Sequence, residues 1–118
     1  MVVDQTSADE ADRIFHALAD GTRRDILTRA LGDGDSVSTL AQRYAMSFAA
    51  VQKHVAVLEG AGLVTKERRG REQLVRTDVD TVHRARVLLD GIEEQWRARI
   101  ERIDDLLATE QRNPGGKR

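Results

Sequence analysis

Between Ser38 and Thr77 a short helical segment, a longer apolar-faced helix and a hairpin with a glycine between arginines follow one another, STLAQRYAMSFAAVQKHVAVLEGAGLVTKERRGREQLVRT. Leu40, Ala41 and Tyr44 recur at helical spacing, Ala45 and Met46 make a tight connection, and Ser47 is a good N-cap for a second helix. Val51, Val55 and Leu58 share the inward face of that helix. Phe48, Ala49, Gln52, Lys53 and Ala56 are left on its free face, and Gly60 and Gly62 stop it. Leu63 to Arg68 and Glu72 to Thr77 then read as two strands joined at Arg69-Gly70, where glycine supplies the positive φ a two-residue turn needs. Arg68, Arg69 and Arg71 form a cationic fork at the tip. A helix with an open N-terminal face beside a basic hairpin predicts a winged helix-turn-helix. In such a fold the helix meets base edges and the hairpin meets phosphates or a minor groove.

The formal net charge of −1 at first argues against a nucleic-acid partner. Its distribution reverses that argument. Residues 1–37 carry four basic and eight acidic side chains, residues 38–77 seven and three, and residues 78–118 eight and nine. Positive charge is therefore concentrated in the helix-hairpin stretch, which favours double-stranded DNA approached from one face. The 118 residues, 40% hydrophobic, suit one domain with a modest core. With no cysteine there are no disulfides or thiolate metal sites. Met-Val-Val at the start runs at once into Asp4, and no apolar run is long enough for a signal peptide or a membrane span. A cytoplasmic location and no membrane partner are expected.

The flanks supply scaffold and a partner surface. Asp9 to Ala19 carries Ile14, Phe15 and Leu18 on one stripe, and a second helix from Thr22 carries Ile26, Leu27 and Ala30 before Gly32-Asp33-Gly34 breaks it. A last helix starts near Asp78 or Asp80 and runs over about 79–109, roughly 45 Å at 1.5 Å per residue. Val82, Ala85, Leu89, Ile92, Trp96, Ile103 and Leu106 fall at heptad spacing along it, with Arg99 interrupting and Ile100 beside it. Such a stripe outruns a small domain and calls for a partner helix, so a homodimer through the first and last helices is expected. Its interface would take in Ile14, Phe15, Leu18, Leu89, Ile92, Trp96, Ile100 and Ile103. The expected organisation is a single domain over 1–110 and a disordered tail over 111–118.

Three stretches, in order, resemble the ArsR-type bacterial repressors. Ile14-Phe15-His16-Ala17-Leu18-Ala19-Asp20-Gly21-Thr22-Arg23-Arg24-Asp25-Ile26-Leu27 is similar to the family's opening signature, with Gly21 where proline is usual. Met46-Ser47 and the run Lys53 to Val64 resemble the recognition helix and its exit, and Arg69-Gly70-Arg71 the wing. Trp96 to Ile103 is similar to the long last helix of a subgroup lacking metal-binding cysteines, so the match covers about residues 12 to 108. The resemblance implies a mainly α fold with a small β-hairpin, dimeric through its first and last helices. It also implies an autoregulatory repressor on an inverted-repeat operator. The chain departs from the family at Gln52, where many relatives have serine, and at Val75, where an aromatic residue is common. Ser36-Val37-Ser38 stands where the metal-sensing branch has Cys-Val-Cys, and serine hydroxyls are poor ligands for soft metals.

Asp80 and His83 lie three apart on the last helix, but no further histidine follows His83, so no metal and no other cofactor is expected. Neither a nucleophile elbow nor a phosphate-cradling glycine loop is present, which argues against an enzyme. The expected DNA-binding residues are Ser47, Phe48, Ala49, Gln52, Lys53, His54, Arg68, Arg69 and Arg71. Gln52 and Lys53 would reach bases, and His54 and the wing arginines would hold phosphate. Two alternatives stay open at this point: a dimeric protein-interaction module with weak DNA binding, and a ligand- or metal-responsive sensor with an unrecognised site.

Overall fold

A computed structural model describes residues 2–112 of the chain, with side chains from residue 8 to residue 111. Five helices and three strands follow in the order α1 (Val2–Leu18), α2 (Gly21–Arg29), β1 (Asp35–Ser36), α3 (Val37–Gln42), α4 (Phe48–Gly60), β2 (Val64–Arg69), β3 (Glu72–Thr77) and α5 (Val79–Arg112). The short helices each start at a side chain able to accept from an exposed main-chain N–H. Asp20 accepts from Arg23 N at 3.1 Å, Ser36 Oγ from Thr39 N at 3.0 Å and Ser47 Oγ from Ala50 N at 3.1 Å. Asp78 does the same for α5, accepting from Asp80 N and Thr81 N.

Met1–Ala85 forms one compact unit and Arg86–Arg118 a second. In the first, α3 and α4 make the helix-turn-helix, and Ile14, Ile26, Leu40, Val51, Val55, Leu58, Leu63 and Val75 close a core around them, each at most 1% exposed. The sheet is antiparallel in the order β1-β3-β2. Its third strand, β1, has no counterpart in the sequence reading, because two residues cannot show an alternating pattern. Gly34, at φ +87°, leads the chain into β1, where an added Cβ would lie 2.5 Å from the Val75 carbonyl oxygen. The hairpin root is tied to the helices: Thr77 N donates to Ala30 O at 3.0 Å, Thr77 Oγ1 to Leu27 O at 2.6 Å, and Asp78 N to Leu63 O at 2.8 Å.

The hairpin turn lies one residue later than expected. Arg69 pairs with Glu72, so Gly70 and Arg71 form the loop, and only Gly70 has positive φ, at +60°. That is the backbone pattern of a type II′ turn, which needs glycine at its first central position.

Several boundaries also move. α1 starts at Val2 rather than near Asp9, since no glycine or proline in between stops a helix. α5 continues through Arg112, so the first two residues of the expected tail are helical, and 113–118 lie outside the described residues.

Two apolar stripe positions turn out to be internal. Ile14, expected at a dimer interface, is wholly buried in the core of its own chain, and Ala85 is only 5% exposed. A helical period identifies an apolar face but not which body covers it. Phe15 and Leu18 are half-buried.

In the second unit the helix keeps nearly all its side chains in solvent. Val87, Leu89, Ile92, Trp96, Ile103, Leu106 and Leu107 are between 50% and 66% exposed, and Ile100 is 39% exposed. Pairs one turn apart, Arg97 with Glu93 at 3.1 Å and Arg86 with Asp90 at 4.0 Å, lie along the same helix.

Candidate nucleic-acid interface

The side chains of α4 divide as helical geometry requires. Val51, Val55 and Leu58 go inward, and Phe48, Ala49, Gln52, Lys53 and Ala56 are exposed. Phe48 opens the helix with 47% of its surface in solvent, unusual for a large apolar ring without a partner. Because Ser47 Oγ accepts from Ala50 N, its own O–H remains available to donate outward.

Strand alternation decides which wing side chains join α4. Val64, Lys66 and Arg68 share one face of β2, and Lys66 Nζ reaches Glu59 Oε1 of α4 at 3.3 Å, so that face turns toward the helix. Gln73, Val75 and Thr77 lie opposite these residues on β3, and Val75 and Thr77 are buried. The result is a cleft of about 200 Å³ bounded by Ser38 of α3, Phe48 and Gln52 of α4, and Arg68, Arg71, Glu72 and Gln73 of the wing. Among the described residues no ion pair engages Lys53, Arg68 or Arg71, which leaves three cations free around Gln52.

Two expected contacts are placed elsewhere. Arg69 belongs to the opposite face of β2, with Nε 3.8 Å from Glu67 Oε2, so the three arginines do not make a single fork. The cause is the alternation of the strand combined with the shifted turn. His54 is two residues from Gln52 and thus about 160° away around the helix axis. It is half-buried, and its Nδ1 is 3.3 Å from Arg23 Nη1 of α2. The phosphate role expected for His54 does not fit that position.

Ser38 and Gln73 line the cleft and were not singled out from sequence. Gln73 could have been found by counting back from Val75 along the strand; Ser38 carries no comparable signal. Away from the cleft, Asp80 and His83 are both exposed, and among the described residues no group of three or more His, Asp or Glu side chains gathers as a metal site would require. No helix among those residues is long and apolar enough to cross a membrane.

A family profile described as a helix-turn-helix domain matches residues 18–67, which takes in α2, α3, α4 and part of the wing. The uncharacterised HTH-type transcriptional regulator YuzN of Bacillus subtilis is 39% identical over 72 residues, covering 54% of this chain and 77% of the relative. An ArsR-like transcriptional regulator from Rhodococcus sp. RHA1 superposes with a TM-score of 0.76 at 32% identity, over 86% of this chain and 95% of that one. The chain belongs to the ArsR-type winged helix-turn-helix regulators. It is accordingly a DNA-binding transcriptional regulator and not an enzyme. A further neighbour, the homodimeric winged helix-turn-helix DNA-binding domain of Mb0332 from Mycobacterium bovis, described as a possible ArsR-family transcriptional regulator, has a TM-score of 0.61 at 25% identity, over 74% of this chain and 82% of that one.

Proposed function

We propose that this ArsR-type regulator is a repressor that binds an inverted-repeat operator, including one in its own promoter, as a homodimer. The observation that carries the DNA reading is the cleft, where an amide on the recognition helix, Gln52, stands beside two unpaired wing cations, Arg68 and Arg71. An amide can make a bidentate contact with adenine, whereas a guanidinium at a hairpin tip is suited to the charged backbone. Ser47, Phe48, Ala49 and Lys53 complete the surface toward the groove. Two features support the homodimer: the exposed apolar stripe over 86–112 and the homodimeric state of the Mycobacterium bovis domain. Two copies would present two recognition helices and so require a two-fold operator. Leu89, Ile92, Trp96, Ile100 and Ile103 are the contacts we assign to that interface from the last helix, and Phe15 and Leu18 those from the first. The protein would act in the cytoplasm, on the chromosome.

Footprinting across its own promoter tests the operator, and titration of variants on operator and scrambled duplexes tests the roles. Gln52→Ala should cost about 1–3 kcal/mol on operator and little on scrambled DNA. Arg71→Ala should weaken both and lower the salt dependence by about one phosphate contact. Equal losses on both duplexes for Gln52→Ala would remove it as a base reader.

A further inference from the structure

We infer that Arg23 is a positioning residue for DNA recognition: it fixes the tautomer of His54 and thereby the roll of the recognition helix α4 about its own axis. This rests on the reading of α4 as the base-contacting helix. Arg23 lies in the first turn of α2, and its side chain spans three elements. Nε donates to Ala17 O at 2.7 Å and Nη2 to His16 O at 3.1 Å, both carbonyls in the last turn of α1. Those carbonyls have few partners within their own helix, so the guanidinium closes the end of α1. Nη1 extends the other way, to His54 Nδ1 on α4 at 3.3 Å.

The chemistry of this contact has one solution. A guanidinium carries five N–H donors and no lone pair, so Nδ1 must accept. The hydrogen of the ring is then on Nε2. Asp20 completes the corner. Its carboxylate accepts from Arg23 N, and that bond, helped by the positive charge of the Arg23 side chain, holds its pKa below the usual 3.8. Asp20 and Arg23 are thus two charged groups beside the imidazole.

Position explains why this matters for the cleft. Val51, Val55 and Leu58 hold α4 by apolar packing, which is weakly directional. The Arg23 contact is directional and lies on the flank opposite Gln52. At a side-chain radius of about 5–6 Å, a roll of about 15° moves the Gln52 amide by about 1.5 Å, beyond what a hydrogen bond to a base tolerates. Arg23 thus links the end of α1 to the angle at which α4 presents Gln52.

The test uses the full-length protein, with long-range proton–nitrogen NMR of its three imidazoles, His54 being assigned by His54→Asn. Expected is an Nε2–H ring in the free protein whose Nδ1 resonance moves in Arg23→Met; an Nδ1–H ring, or an unmoved resonance, overturns the inference whatever happens on DNA. Affinity is then measured on a duplex selected by the wild-type protein from random sequence. His54→Phe, which removes the acceptor and leaves the other Arg23 bonds in place, should weaken binding about tenfold. His54→Asn, whose amide oxygen can accept in place of Nδ1, should stay within about twofold. The Arg23→Met, His54→Phe double variant should be no weaker than the poorer single. Losses that multiply, or equal losses for the Asn and Phe variants, would overturn the coupling. If no duplex were selected, the operator reading would fall, while the NMR result would still decide the Arg23–His54 contact.

Discussion

Trp96→Ala is the substitution that most directly tests assembly. Trp96 is 59% exposed on the helix of the second unit, amid a run of side chains of similar exposure. A tryptophan offers up to about 250 Å² for burial, so about 150 Å² remains for a partner to cover. At about 25 cal/mol per Å² this is worth close to 4 kcal/mol per side chain. A two-fold interface counts it twice, and ordering each ring costs back about 1 kcal/mol, which leaves about 6 kcal/mol for the pair as an upper figure. Even half of that weakens dimerisation about a hundredfold. Sedimentation of the intact protein from 1 to about 100 μM reads the effect directly, with wild type dimeric at a few micromolar and Trp96→Ala largely monomeric. Circular dichroism should show the helices of both proteins equally formed. A monomeric wild type at micromolar concentration, or a variant that dimerises as tightly as wild type, would refute the argument that this stripe meets a second copy.

Three further outcomes are expected. Leu58→Ala, at a wholly buried site under α4, should lower unfolding free energy by about 2–5 kcal/mol in urea titration, with DNA affinity lost in proportion to the unfolded fraction. Tyr44 donates to Asp25 Oδ2 at 2.6 Å, and burial together with that bond pushes its pKa from 10.0 up to about 12. Because the folded-state value is the higher one, the stabilisation is complete below pH 10 and is lost as pH rises toward 12; Tyr44→Phe should remove that alkaline component from the stability profile. With Ser36 capping α3 and engaged to Thr39, zinc, cadmium and arsenite at micromolar concentration should leave operator affinity unchanged in gel-shift titrations, and metal-induced release abolished by His83→Ala would contradict this.

What the sequence showed and what it hid follow from how far each signal reaches along the chain. Ser47 caps α4 because a cap acts over three residues, and Val51, Val55 and Leu58 turn inward because a helical face repeats within two turns. The turn at Gly70-Arg71 was off by one residue, since glycine marks a turn without saying which of its positions it fills. That single step brought Arg69 into β2, where alternation turns it to the far face. Ile14 and Ala85 share an apolar period with residues that remain exposed, and only the folded core separates them. The Arg23–His54 contact joins residues 31 apart, beyond any periodicity, and β1 is too short to announce itself.

The anchoring of the hairpin has a consequence for how such a protein can diversify. Thr77 and Asp78 bolt the base of the wing to α2 and to the exit of α4, while from Thr65 to Gln73 the side chains stand in solvent. Paired insertions between Arg69 and Glu72 would lengthen the ladder two residues at a time and keep every side chain on its own face. The footprint could therefore grow outward along the duplex without any change to the fold beneath it.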